Sequence, residues 1–379
     1  MKIISIDAIP LGASLSKAFK FGHVIRLSSS NVIIKVTSDT GHIGWGEACP
    51  VPQLTGETQQ SIVSVITERL TPLLIGANPL SWRAIVVGLE PCLVGYTFTR
   101  AAIETALLDL VGKATGVPIW QVLGGRFREE IELHGSVGWD SDPQAVVAEA
   151  HRQSAEFRTI KLYVGPGELD ADLHTIAAVR EAVPDHVDFI VDVNGLWSRS
   201  DVIRAASSLS AARVRLLEQP LDPVDREGAQ VATRLYRDTF GIDVAVDEGL
   251  RTARDAVRTG VEHSASVATV AVLKLGGPAT ALNVATAAAD YGLGVMVGSV
   301  VELGIATAVG AHLAACVERL DYPAYLMGPT KYARQITGDG LRVTSGRLVV
   351  PSGPGLGVEI DEETIASMDL RQRKPPTSA

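Results

Sequence analysis

Cysteine, aromatic side chains and positive charge are all scarce in this chain. Among 379 residues there are three cysteines, Cys49, Cys92 and Cys316, an odd number without a Cys-x-x-Cys pair. That excludes a disulfide scaffold and fits reduced, buried thiols in a cytoplasmic protein. Lys and Arg total 34 against 43 Asp and Glu, a formal charge of −9. A nucleic-acid partner normally demands a basic face, so none is expected. Long hydrophobic runs are missing as well. The apolar stretch 267–275 is too short to span a bilayer and carries Lys274, and Asp7 interrupts any signal-peptide core at the start. Neither secretion nor a membrane partner is expected. No Gly-x-Ser-x-Gly elbow and no His-Glu-x-x-His occurs, so serine-hydrolase and zincin readings have no support. With aromatics at 5% and hydrophobic residues at 46%, the core is aliphatic, as expected where helices cover parallel strands.

Residues 1–125 read differently from the rest. Asn31-Val32-Ile33-Ile34-Lys35-Val36 predicts a strand, Asp39-Thr40-Gly41 a turn, and Ile43-Gly44-Trp45-Gly46-Glu47-Ala48 a second strand, together an antiparallel hairpin. Helical patterns follow over 59–74, 82–87 and 99–115, which makes an α+β module. From about residue 131 the chain alternates. Short apolar runs near 133–137, 159–164, 187–193, 214–218, 244–247, 267–275, 294–297 and 325–327 are mostly separated by helical segments such as 142–157, 168–182, 200–209, 253–259 and 280–291. That period is one βα unit, and seven or eight units predict a closed parallel barrel. Beyond it, 340–343 and 347–350 suggest a short hairpin, and the tail 369–379 is expected to fray. Gly353-Pro354-Gly355-Leu356-Gly357 opens no helix, which argues against a phosphate loop. Gly276-Gly277-Pro278 is expected to form a tight turn that gives a substrate close backbone approach.

Three acids recur at equivalent places in successive units: Asp192 in Phe189-Ile190-Val191-Asp192, Glu218 in Leu216-Leu217-Glu218, and Asp247 in Val244-Ala245-Val246-Asp247. The gaps of 26 and 29 residues are one βα unit each. In a barrel each then stands at the C-terminal mouth of a neighbouring strand, where side chains converge. Any one alone would read as a solvated loop acid or a helix cap. Three clustered carboxylates repel unless a cation lies between them. All-oxygen ligation with room for water and substrate favours one Mg²⁺, with Mn²⁺ as an alternative. Lys274, 27 residues after Asp247, ends the next apolar run, and Lys161 lies on the run before Asp192. A lysine there needs a charge partner or a polar cavity. Desolvation lowers its pKa, and a metal ion offsets the carboxylates that raise it, so a neutral lysine base is feasible. Lys161 and Tyr163 have period-two spacing and should face the interior together.

The set Asp192, Glu218, Asp247 and Lys274 resembles the enolase superfamily, and within it the muconate lactonizing enzyme subgroup, over nearly the whole chain. Gly46-Glu47-Ala48 and Leu54-Thr55-Gly56-Glu57-Thr58 are most similar to dipeptide epimerases and N-acylamino acid racemases. The resemblance implies a modified TIM (β/α)7β barrel over 126–350 and an N-terminal α+β capping domain over 1–125, joined by segment 351–379. It implies that Asp192, Glu218 and Asp247 bind the metal, which holds a substrate carboxylate and stabilises an enediolate. Lys274 is then the acid/base on one face, and Asn194 and Glu248 support the metal shell. Segments 14–23 and 49–58 would be loops over the barrel mouth, the first made basic by Lys17, Lys20 and His23, which suits an acidic substrate. Glu302 would be a polar contact in the site. A homo-oligomer is expected.

Two departures from the family pattern bear on the reaction. The subgroup's Lys-x-Lys is Lys161-Leu162-Tyr163 here, so Tyr163 stands where a second acid/base belongs, and a phenol near pKa ~10 is a poor base unless activated. Dipeptide epimerases carry Asp-x-Asp near the last strand. Arg319-Leu320-Asp321 replaces it, which weakens the case for a cationic substrate group and lets Arg319 pair an anionic one. The reading is therefore removal of the proton α to a carboxylate of a small-molecule substrate, leading to cycloisomerisation or syn elimination on Lys274. The alternatives are racemisation or epimerisation of an amino-acid derivative through Tyr163, and a catalytically silent binding protein.

Overall fold

Alternating burial builds the first sheet, in a computed structural model that describes residues 1–338 and 340–372. β1 (Ile3–Phe21) and β2 (Val24–Ser38) form one long antiparallel hairpin, and β3 (Ile43–Ala48) pairs with β2. Segment 14–23 is thus not a loop. Beyond a register irregularity after Ser14, Phe19, Lys20 and Phe21 pair with Arg26, Ile25 and Val24, and the strands carry the tip outward. The sheet lies on helix Thr97–Thr115, which is buried nearly all round. Gly44 and Gly46 make that approach possible: a Cβ on Gly46 would stand 1.9 Å from the carbonyl oxygen of Ala102.

The barrel strands are β5 (Gly135–Val137), β6 (Thr159–Tyr163), β7 (Asp188–Asp192), β8 (Val214–Glu218), β9 (Asp243–Val246), β10 (Val267–Val270) and β11 (Gly294–Val297), parallel and in sequence order. Residues 321–325 supply the eighth stave. Asp321 and Tyr325 donate N–H groups to Val295 and Val297 on one side, and His134 donates to Ala324 on the other. Ahead of β5, β4 (Glu130–Glu132) pairs with the late hairpin of β12 (Val343–Thr344) and β13 (Arg347–Val349). Helices Pro143–Ser154, Leu169–Ala182, Arg199–Ala211, Ala253–Glu262 and Pro278–Asp290 match the amphipathic segments of the sequence, and Gly304–Cys316, wholly buried, adds another.

One expected strand is shorter than its apolar run. β10 stops at Val270, and Val272–Leu275 is a helical turn closed by Gly276 and Gly277 at φ 84° and 133°. An uninterrupted apolar run has no period to separate strand from helix. At Gly277 a Cβ would stand 2.4 Å from the Glu104 carboxylate, so the close approach there is to the N-terminal domain rather than to a substrate. Two buried acids of that domain grip barrel helices. Glu104 accepts the N–H of Ala279 at 2.7 Å, and Glu47 accepts those of Leu303 and Ala306 at 2.6 and 2.9 Å. Each thereby satisfies donors that a helix start leaves free. The glycine-rich segment near Gly355 is structural as well, its chain packed against Asp109. The tail does not fray at once: Arg371 bridges Asp7 and Asp369 at 2.7 Å each. Positions 373–379 of that expectation lie outside the described residues. No single helix among the described residues is long and apolar enough to cross a membrane.

Candidate active site

Ile190, Leu216, Ala245, Val267, Met296 and Tyr322 form a buried cluster inside the barrel. Two residues after the first three come Asp192, Glu218 and Asp247. Period-two alternation puts those carboxylates on the same inner face, one step nearer the mouth. Register agrees, since Tyr163 pairs with Asp192 and Asp192 with Glu218.

Lys161, pointing inward from β6, places its ammonium 2.7 Å from Asp192 and 3.0 Å from Glu218. Lys274 reaches back from its helical turn to the Asp247 carboxylate (2.5 Å), the Asp247 carbonyl (2.6 Å) and the Thr269 carbonyl (2.9 Å). Burial pushes Asp192 up and Glu218 up to about 8, with Lys161 opposing. Burial also raises Asp247, but Lys274 and Lys161 outweigh it and hold that carboxyl below its ordinary value. On Lys161 burial acts downward, and the two carboxylates more than offset it, so the group stays a cation. Asn194 bonds the Asp192 carboxylate through its N–H (3.0 Å) and Glu248 through its amide (3.1 Å). Burial and the charge of Asp247 push Glu248 up to about 8.

Donor chemistry fits a hard divalent cation. One oxygen each of Glu218, Glu248 and Asn194 is buried without a hydrogen-bond partner; Lys161 is near that of Glu218 but off its bonding direction. As the side chains stand, however, the carboxylates are drawn toward the two ammonium groups. Among the described residues no three acidic, His or Cys side chains lie close enough to share one ion.

These groups floor a cavity of about 350 Å³. Its roof is the hairpin tip, from Phe19 to Val24, with Val51, Gln53 and Leu54 of the second predicted cover. Trp139 staples the tip down, its indole N–H donating to the Gly22 carbonyl at 2.9 Å. Lys20 and Lys17 pair with Asp140 and Glu149 outside this cavity, so of the three basic groups only His23 lines it. Tyr163 meets Phe19 and Phe21 edge-on at 5.4 and 6.3 Å, with the Lys161 ammonium 5.1 Å from its ring centre. Burial pushes its phenol well above the ordinary value.

Three predicted site residues stand elsewhere. Arg319 is exposed and paired with Asp321, whose other oxygen accepts the Val295 N–H near the start of the eighth stave, the end away from the mouth. Glu302 turns aside to Ser299 and the Val300 N–H. The eighth stave delivers Tyr325 to the cavity instead. Sequence reasoning also passed over Gln219, His134, Arg251 and Arg26. Gln219, at φ 37°, accepts the N–H groups of Asp247 and Gly249 and so fixes the loop after β9. Its signal was the Glu218-Gln219-Pro220 string. His134 donates from Nδ1 to the Gly135 carbonyl and stacks on Tyr325, and burial holds it neutral, down to about 3. Arg251 lines the cavity with its Nε on the Glu248 carbonyl at 2.8 Å. Buried Arg26 donates to the Val300 carbonyl at 2.6 Å and steadies the wall where Val301 adopts φ 60°, a strained value for a β-branched residue. No sequence period marks these last three.

A (β/α)7β barrel with acids and lysines at its strand ends and a hairpin over its mouth defines an enzyme of the enolase superfamily. Residues 145–364 match the family model "Enolase C-terminal domain-like", and residues 16–124 match "Mandelate racemase / muconate lactonizing enzyme, N-terminal domain". The chain belongs to the mandelate racemase/muconate lactonizing enzyme family. It is 30% identical to the L-Ala-D/L-Glu epimerase of Bacillus subtilis over 94% of this chain and 97% of that one. It is likewise 30% identical to the N-succinyl-L-Arg/Lys racemase of Bacillus cereus, over 98% and 99%. The crystal structure of a muconate lactonizing enzyme from Pseudomonas fluorescens, complexed with muconolactone, superposes with a TM-score of 0.92 at 30% identity, covering 97% of this chain and 99% of that one. Members of this group generally use a divalent metal, and the relatives carry out different reactions on one architecture.

Proposed function

We propose that this enzyme moves the proton α to a substrate carboxylate on the single acid/base Lys274, in a cycloisomerisation or a syn elimination. The observation that carries the reading is the contrast between two walls. Lys274 follows β10, four staves round from β6, so it faces Tyr163 across the barrel. The Tyr163 ring is clasped by Phe19, Phe21 and Lys161, its hydroxyl makes no hydrogen bond to any described residue, and burial pushes that phenol well above its ordinary value, which makes it a poor base. Racemisation needs proton traffic on both faces; cycloisomerisation and syn elimination need one.

Asp192, Glu218 and Asp247, backed by Asn194 and Glu248, would hold one divalent ion, proposed as Mg²⁺. When bound it draws electron density from the substrate carboxylate and acidifies the neighbouring C–H. Lys161, tied to two carboxylates, keeps its proton and supplies fixed positive charge where negative charge develops. In elimination or ring opening the amine of Lys274 takes the α proton while the bond from the β carbon to the leaving oxygen breaks with its electron pair, and the ammonium so formed can protonate that oxygen. In ring closure a carboxylate oxygen adds to the β carbon and the same ammonium protonates the carbon beside the other carboxylate. Phe19, Phe21, Val51 and Leu54 exclude water and suit a hydrocarbon remainder such as that of muconate. In this reading residues 126–350 carry the chemistry and residues 1–125, with the C-terminal segment, select the substrate. The test is to incubate carboxylic acids, muconate and muconolactone among them, with the enzyme and Mg²⁺ in D₂O. Deuterium at the α carbon with ring opening or closure and no inversion is expected, slowed at least ~100-fold by Lys274→Ala. Full exchange in Lys274→Ala refutes the base, and inversion at the labelled carbon favours a racemase.

A further inference from the structure

A second chamber of about 320 Å³ lies on the other side of Phe19, which lines both cavities. Its walls are hairpin residues 16–20, the end of β5 with Gly138 and Trp139, helix Pro143–Ser154 and the turn Gly328–Lys331. Lys17, Lys20, Arg152 and Lys331 face Asp140, Glu149 and Glu156 there. The pairing is incomplete. Lys20 holds Asp140 at 2.6 Å, and Lys17 and Arg152 share Glu149. Lys331 on the inner side and the exposed Glu156 are left over. Among the described residues the Lys331 ammonium stands 4.9 Å above the Phe19 ring and makes no hydrogen bond or ion pair. Its side chain is half-buried. Burial pulls its pKa down to about 8, Glu149 opposing and Arg152 and Lys17 adding, so at neutral pH the group is still charged. A half-buried cation with no direct counter-ion loses hydration without full compensation, and a bound anion offsets that loss.

We propose that this chamber is a binding site for a small carboxylate, with the Lys331 ammonium as its principal counter-charge. The carboxylate could belong to a separate acid or to the far end of an active-site substrate that passes Phe19. Either way the recognition is the same: one unpaired ammonium in a polar chamber beside an aromatic ring.

The probe is succinate, titrated calorimetrically into the full chain, with acylation of Lys331 followed in parallel by peptide mass mapping. Neither readout needs turnover, so failure of the proposed reaction leaves both intact. Affinity should fall at least ~10-fold in Lys331→Met, as for a lost charge-assisted hydrogen bond, persist in Lys331→Arg, and survive Lys274→Ala. Succinate should also slow acylation of Lys331 in the wild-type chain, a result independent of how any variant folds. A tenfold rise in KM confined to dicarboxylates in Lys331→Met assigns the group to the substrate's far end. Unchanged KM with succinate still bound beside substrate assigns it to a separate acid. Succinate affinity indifferent to Lys331→Met, or acylation of Lys331 indifferent to succinate, overturns the proposal.

Discussion

Tyr163 is the position at which a chemical role and a positioning role separate most sharply. Tyr163→Phe removes one oxygen and keeps the ring; Tyr163→Ala removes the ring on which the hairpin tip rests. That ring meets Phe19 at 5.4 Å and Phe21 at 6.3 Å. Edge-on aromatic pairs contribute ~0.5–1.5 kcal/mol each, so losing both weakens tip docking by ~1–3 kcal/mol, or ~5- to 150-fold in the docked population. Tyr163→Ala should therefore raise KM within that range and speed amide exchange across 13–28 by a similar factor. Tyr163→Phe should keep kcat within ~3-fold, because a hydroxyl without a partner contributes little. A general acid or base would lose ~10²- to 10⁴-fold on the same change. Steady-state kinetics with hydrogen-exchange mass spectrometry on both variants decides the matter. A hundredfold fall in kcat for Tyr163→Phe, with hairpin exchange unaltered, refutes the positioning argument.

Three other outcomes follow from the geometry. Glu218→Gln removes one acidic ligand candidate and should weaken divalent-ion affinity at least ~10-fold by calorimetry, with chelation of the wild-type enzyme stopping exchange altogether; unchanged affinity places the ion elsewhere. Glu104, pushed up to about 7 chiefly by burial, holds its proton in the folded state after the unfolded chain has lost its own near 4.5. Its contribution is complete below pH ~4.5 and is lost as pH rises through ~7, on the order of 3 kcal/mol, so Glu104→Gln should flatten the fall in urea midpoint between pH 5 and pH 8. Gly46→Ala drives a methyl to 1.9 Å from the Ala102 carbonyl and should destabilise the fold by at least ~2 kcal/mol, read as a lower Tm.

What could be read beforehand depended on whether a local period carried the information. Asp192, Glu218 and Asp247 were legible because each ends an apolar run and the runs recur at βα spacing. Lys161 and Tyr163 share a strand face by period two. Segment 14–23 was not legible as strand, because its lysines and a register irregularity break the alternation. Lys274 was expected at a strand end and stands on a helical turn instead, since 270–275 is apolar but for that lysine and has no period to separate the two. Arg319 and Asp321 were assigned to the wrong end of the barrel. The eighth stave has too few residues for the sequence to show which of them reaches the mouth, and hydrogen bonds place Tyr325 there. Lys331 carried no signal, for its isolation depends on which neighbours Lys17, Lys20 and Arg152 choose.

The grip of Glu47 and Glu104 on the first turns of two barrel helices has a consequence for how such an enzyme changes substrate. Because the seam between the two halves is fastened by bonds from two buried carboxylates, the cover is not expected to swing as a body, and adaptation falls to the far end of the β1–β2 ribbon. Exchanging that ribbon end between relatives should alter which acids are accepted while the proton chemistry beneath stays as it was.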